Sequence, residues 1–79
     1  KCIMEKLNSI IQKIFKVKPE DINDNMSSDT IPDWDSMNYL LFISELEKEF
    51  NIQFTVDETL EAKNLGDIKK YLKNKGVNF

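Results

Sequence analysis

Asp33-Trp34-Asp35-Ser36-Met37-Asn38-Tyr39-Leu40-Leu41-Phe42-Ile43-Ser44-Glu45-Leu46-Glu47-Lys48-Glu49-Phe50 is the stretch that decides the fold. Tyr39, Phe42, Ile43, Leu46 and Phe50 recur at three- and four-residue steps, the spacing that lines one face of an α-helix. Asp35 supplies the start, because its carboxylate can accept from amides of the first turn that have no partner in the helix. A helix is predicted from near Asp35 to about Phe50. Met37, Leu40 and Leu41 fall on a flanking face, so the helix is more apolar than burial on one side requires. They are either extra core or an exposed docking face. Glu45, Glu47 and Glu49 bring acid toward the far end, as a solvated face or as the rim of that docking surface.

Upstream lies a long polar connection from Pro19 to Asp33, rich in the turn formers Asp21, Asn23, Asp24, Asn25, Ser27, Ser28 and Asp29. Ile22, Met26 and Ile31 are spaced to pin it onto a core, and Trp34 reads as an anchor for its end. The Asp/Asn spacing invites a calcium-loop reading. That reading fails, because no Gly stands sixth from Asp21 and the twelfth position is Pro32 rather than Glu. Before the loop, Ile3, Leu7, Ile10, Ile11, Ile14 and Phe15 form an amphipathic helical stripe, and Lys18-Pro19 sets its outer limit.

Downstream, Asn51 ends the central helix. Ile52 and Phe54 alternate with Gln53 as a short extended link with two buried side chains. Thr55-Val-Asp-Glu58 is a capping box, so a brief third helix starts there, with Leu60 expected as its anchor. Asn64 caps a last helix whose Leu65, Ile68, Tyr71 and Leu72 face the core, and Gly76 stops it. The chain is therefore predicted to be all-α, a four-helix bundle with a long loop after helix 1 and a short third helix. It is read as one domain over residues 1–79.

Composition narrows the function. The chain has 79 residues, no His and one Cys, Cys2, which leaves a zinc site or a His-based triad without ligands or base. No apolar run reaches the roughly 20 residues of a membrane span. The net charge of −3 hides an asymmetry: Glu20–Asp67 holds thirteen acids against Lys48 and Lys63, between lysine-rich ends. An acidic centre repels nucleic acid and steers basic protein partners. The expectation is a cytoplasmic, acidic, monomeric protein that binds neither nucleic acid nor metal and has no catalytic residues.

Ser36 is the residue that chemistry singles out. At a helix N-terminus, free amides and the helix dipole stabilise an anion, so a phosphodiester on its hydroxyl would sit in a favourable field. Asp35 could help hold Mg²⁺ on a modifying enzyme. By spacing alone, Ser and Asp here also read simply as helix starters. With no base to activate it, Ser36 suits modification by another protein better than catalysis.

Asp35-Ser36-Met37 resembles the Asp-Ser-Leu attachment motif of acyl carrier proteins. The following run to Glu45-Leu-Glu-Lys-Glu-Phe50, the link Asn51-Ile-Gln-Phe54 and the opening Asn64-Leu-Gly-Asp-Ile68 are similar to the family's second helix, link and last helix, in family order. The resemblance implies that a phosphopantetheinyl transferase moves 4'-phosphopantetheine from coenzyme A to Ser36, with Asp35 beside it. The arm's thiol then carries an acyl group as a thioester. It also implies acyl-loading and acyl-processing enzymes with basic docking surfaces as partners, meeting Met37, Leu40, Leu41, Glu45 and Glu47. The bundle of the family can shelter a carried chain, with the Tyr39 stripe as its lining here. Met37 in place of Leu, Trp34 before the Asp, and Asn38, Leu41 and Lys48 where acids are frequent depart from fatty-acid carriers. They favour a fatty-acid-like, polyketide or other specialised pathway. A peptidyl or aminoacyl carrier and a non-carrier helical interaction domain are the alternatives.

Overall fold

A computed structural model describes residues 3–77 of the chain. Its four α-helices are α1 (Ile3–Phe15), α2 (Ser36–Phe50), α3 (Val56–Glu61) and α4 (Leu65–Asn74), with a single 3-10 turn at Pro19–Asp21 inside the loop after α1. The all-α expectation, the long loop and the short third helix are all present. The lone thiol, Cys2, lies outside the described residues.

The apolar stripes meet as their spacing requires. Leu7, Ile11 and Phe15 of α1, Phe42 and Leu46 of α2, and Leu65, Ile68 and Leu72 of α4 are essentially inaccessible to water. Burying each such side chain contributes about 1.5–3 kcal/mol. Trp34 lies flat on Phe15, with centroids 4.6 Å apart and planes 5° apart, and Phe42 tilts against both rings. The loop's Met26 and Ile31 are buried with them.

Helix ends follow local chemistry. α1 stops at Phe15, three residues before the limit set by Lys18-Pro19, because Lys16 turns left-handed at φ 55° and its N–H closes on Gln12 C=O. Asn51 does the same for α2, and Ile52 N–H reaches back to Glu47 C=O. At the end of α4, Gly76 has φ 94°, where an L side chain is strained, and Val77 N–H bonds Leu72 C=O while both side chains are buried.

The start of α4 explains why the long loop is ordered. Leu65 N–H donates to Met26 C=O and Gly66 N–H to Asp24 C=O, while the Asn64 side chain accepts from Asp67 N–H. The loop thus satisfies first-turn amides that no helix can satisfy internally. A Cβ on Gly66 would sit 3.3 Å from Asp24 O and 3.2 Å from Asn64 Oδ1, so the close approach calls for glycine. Lys69 Nζ adds an exposed 2.7 Å contact to Asp24.

Two expectations need correction. Leu60 is not the anchor of α3: it is 75% exposed, Val56 one turn earlier is 74% exposed, and α3 buries no residue. Its apolar pair points outward because polar contacts hold the helix. These are the Thr55–Glu58 capping box, the Tyr39 hydroxyl donating to Thr59 C=O at 2.6 Å, and the 2.8 Å Lys75–Glu58 pair. Ile52 and Phe54 are only partly buried in the link, with Phe54 edge-on to Tyr71.

Candidate functional site

Ser36 is the first residue of α2 and its side chain is exposed. The cap beside it is Asp35, whose Oδ1 accepts from Asn38 N–H at 2.8 Å. The capping duty that spacing alone allowed for Ser36 therefore falls to its neighbour, and the serine hydroxyl is left for other chemistry. Tyr39 N–H, at 2.8 Å from Asp35 C=O, closes the first helical bond. The N–H groups of Ser36 and Met37 precede that bond and point out of the helix end, where they favour an anion.

The backbone leading into Ser36 is held from three sides. Trp34 is stacked on Phe15, its N–H donates to Ile31 C=O, and Asn38 Nδ2 donates back across the turn to Asp33 C=O at 2.8 Å. Trp34 serves as the loop anchor expected of it. The serine thus rides on a rigid base although it lies beside a loop.

An open groove of about 610 Å³ runs from Ser36 between α2 and α3, bordered by Trp34, Tyr39, Thr59, Leu60 and Lys63. Burial pushes the Tyr39 phenol up to about 12, with Tyr71 and Asp67 adding negative charge nearby, so it is a neutral hydrogen-bond donor at ordinary pH. Lys63 brings a cation to this otherwise acid-rich rim. A second depression, lined by Ser44, Glu47, Lys48 and Gln53, lies at the far end of α2, away from Ser36.

The structure distributes the remaining site residues unevenly. Met37, Leu40 and Leu41 are 80%, 59% and 50% exposed, which excludes the extra-core reading. Glu45 is partly exposed on the same helix. Glu47 is turned inward, and its Oε2 accepts from Phe54 N–H at 2.7 Å. It ties α2 to the link, which no spacing rule reveals. Glu49 pairs with Lys6 at 3.4 Å. Sequence reasoning missed the outward Val56 and Leu60 and the Lys63 at the groove. A six-residue helix holds too little periodicity to say which way two apolar residues face.

The arrangement offers an accessible alcohol at an anion-favouring helix tip, with a carboxylate beside it and no imidazole in the chain to activate it. That donor set fits a phosphodiester-linked group. Among the described residues no helix is long and apolar enough to cross a membrane, and no cluster of three potential ligands could hold a metal ion.

Comparison with known proteins agrees with this geometry. The family described as "Phosphopantetheine attachment site" matches residues 5–72. An acyl carrier protein of Lactobacillus acidophilus is 32% identical over 72 residues, covering 91% of this chain and 90% of the relative. A solved structure from Mycobacterium tuberculosis, assigned by inference as an acyl carrier protein, superposes with a TM-score of 0.80 at 26% identity, covering 92% of this chain and 97% of that one. The chain belongs to the acyl carrier protein family, whose members hold 4'-phosphopantetheine covalently.

Proposed function

We propose that Ser36 is the residue that bears the 4'-phosphopantetheine, and that the chain presents acyl groups from there to the enzymes of a specialised acyl or polyketide pathway. The observation that carries this reading is the exposed Ser36 at the first position of α2, relieved of capping by Asp35. On the transferase, Ser36 Oγ attacks the β-phosphate of coenzyme A. Its proton passes to a base of that enzyme, the new Oγ–P bond forms, and 3',5'-ADP departs with the electrons of the broken P–O bond. Asp35, exposed and one residue away, is placed to help hold the Mg²⁺ that screens those phosphates. The bound arm supplies a terminal thiol for the thioester; this chain supplies the position, the field of the helix end and the docking surface.

The docking face centres on Met37, Leu40 and Leu41, with Glu45 on its border. Partners would bring apolar side chains to its middle and Lys or Arg to its rim. Glu47 contributes there only through its free edge, because its carboxylate is committed to Phe54 N–H. An apolar Leu41 and a basic Lys48, in place of a continuous acidic face, support a partner set that differs from that of bulk fatty acid synthesis.

The test is direct. The protein is incubated with coenzyme A, Mg²⁺ and a promiscuous phosphopantetheinyl transferase, and its intact mass is measured. The wild type is expected to gain one arm and Ser36→Ala none. Equal gain by both, or gain by neither, would overturn the assignment.

A further inference from the structure

We infer that Tyr39 closes the interior of this bundle to the carried acyl chain, so that the carrier serves short or polar acyl groups that stay in the α2–α3 groove. The inference rests on Ser36 as the attachment point and narrows the cargo.

The groove beside Ser36 is a surface depression, not the mouth of a cavity. Its walls include Ser28, Asp29, Thr59 and Lys63, and none of the fully inaccessible core residues lines it. What separates groove from core is the ring of Tyr39. Its hydroxyl spans from α2 to α3 and donates to Thr59 C=O at 2.6 Å. That carbonyl lies in the last turn of a short helix, where carbonyls need a partner from outside. Trp34 lies against the Tyr39 ring at 6.0 Å with an interplanar angle of 17°, and Phe15 stacks on Trp34 at 4.6 Å. Tyr39, Trp34 and Phe15 thus form one aromatic cluster on the Ser36 side of the core, with Phe42 tilted against Phe15 and Trp34.

Volume, more than the hydrogen bond, does the excluding. One methylene moved from water into the core raises the folding constant about fourfold, so a chain of several methylenes could outweigh a single hydrogen bond if space existed. Entry from the groove means displacing the Tyr39 ring, and forcing methylenes into a packed core is unfavourable. Swinging α3 away would cost the 2.8 Å Lys75–Glu58 pair in addition to the Tyr39 contact. A long aliphatic chain would remain in water on a polar rim. A short or hydroxylated acyl group has little to lose there.

The experiment loads the protein with acetyl, butyryl, hexanoyl and octanoyl arms from the matching acyl coenzymes A, using a promiscuous transferase. Intact mass verifies each product, after which the thermal midpoint and the methyl NMR spectrum are recorded. The expected result is a midpoint independent of chain length, with methyl shifts at Leu60 and none at Leu46, Ile68 or Leu72. Tyr39→Ala, or Tyr39→Thr if the alanine variant does not fold, is expected to acquire a chain-length dependence of several degrees per two methylenes. A midpoint that climbs with chain length in the loaded wild type, with moving core methyls, would overturn this inference alone. A variant that folds and loads but stays indifferent to chain length would remove Tyr39 from the role. A protein that takes no arm would overturn both this inference and the Ser36 reading.

Discussion

Asp35 separates the two tasks assigned to the tip of α2, so its substitution by Asn and by Ala is the most informative perturbation. Asp35 Oδ1 accepts from Asn38 N–H at 2.8 Å in an exposed cap. Asn caps about as well as Asp, so Asp35→Asn loses only the charge–dipole contribution, near the low end of 0.3–1 kcal/mol because the site is exposed and screened. Asp35→Ala also loses the cap, about 1 kcal/mol. In a domain of this size 1 kcal/mol moves the thermal midpoint by about 4–8 °C. The expected order of stability is wild type, then Asn slightly below, then Ala clearly lower. Loading should follow a different order. Neither variant has the carboxylate proposed to help hold Mg²⁺, so both should load slower by about tenfold or more, the scale on which losing a metal-orienting group acts. Calorimetry gives the first ordering and a time course of intact mass gives the second. An Asp35→Asn protein that loads at the wild-type rate would refute the metal-holding role. An Asp35→Ala protein with an unchanged midpoint would refute the cap.

Three further outcomes follow from the packing and the ionisable groups. Leu46 is wholly buried, so Leu46→Ala should cost about 2–5 kcal/mol, a large part of the ~4–12 kcal/mol expected for a domain of this length, seen as a collapsed midpoint in urea monitored by circular dichroism. Tyr39 ionises at about 12 when folded and near 10 when unfolded, so its contribution is whole below about 10 and is lost as pH rises toward 12; Tyr39→Phe should delete one phenolate absorbance step and lessen the loss of stability over that window, leaving the part due to Tyr71, which is also raised. Glu58 is held below the ordinary carboxylate range by the Lys75 ammonium and the Thr55 amide. Its contribution is therefore present above the unfolded value and disappears as pH falls through the lowered folded one, and Lys75→Met should blunt that acid limb in denaturation curves taken at successive pH values.

The legible parts of this fold were those written in local chemistry. Asp35, Thr55 with Glu58, and Asn64 each accept the first-turn amide their residue type foretells. The Phe42–Leu46 stripe, the Met26 and Ile31 pins and the Gly76 stop could be read the same way, because each depends on periodicity or a backbone preference. Leu60 could not, since its direction is set by Tyr39 and Lys75, distant in sequence and polar in their hold on α3. The early end of α1 was hidden because a left-handed Lys16 has no residue signature. Glu47 reads as one more surface acid until Phe54 N–H is seen against it. At the site, Asp35 was legible as the cap, whereas spacing alone also read Ser36 as a helix starter and only the Asp35–Asn38 contact shows which of the two caps. The Tyr39–Trp34–Phe15 cluster was not legible, because contacts between rings on three separate segments leave no pattern in any one of them.

Fragment-ion mass spectrometry of the transferase-treated protein locates the covalent bond to a particular oxygen. A single arm is expected, located on the peptide fragment that contains Ser36 and absent from Ser9, Ser27, Ser28 and Ser44. An arm found on any of those serines, or a protein left unmodified by an active transferase, would contradict the Ser36 assignment.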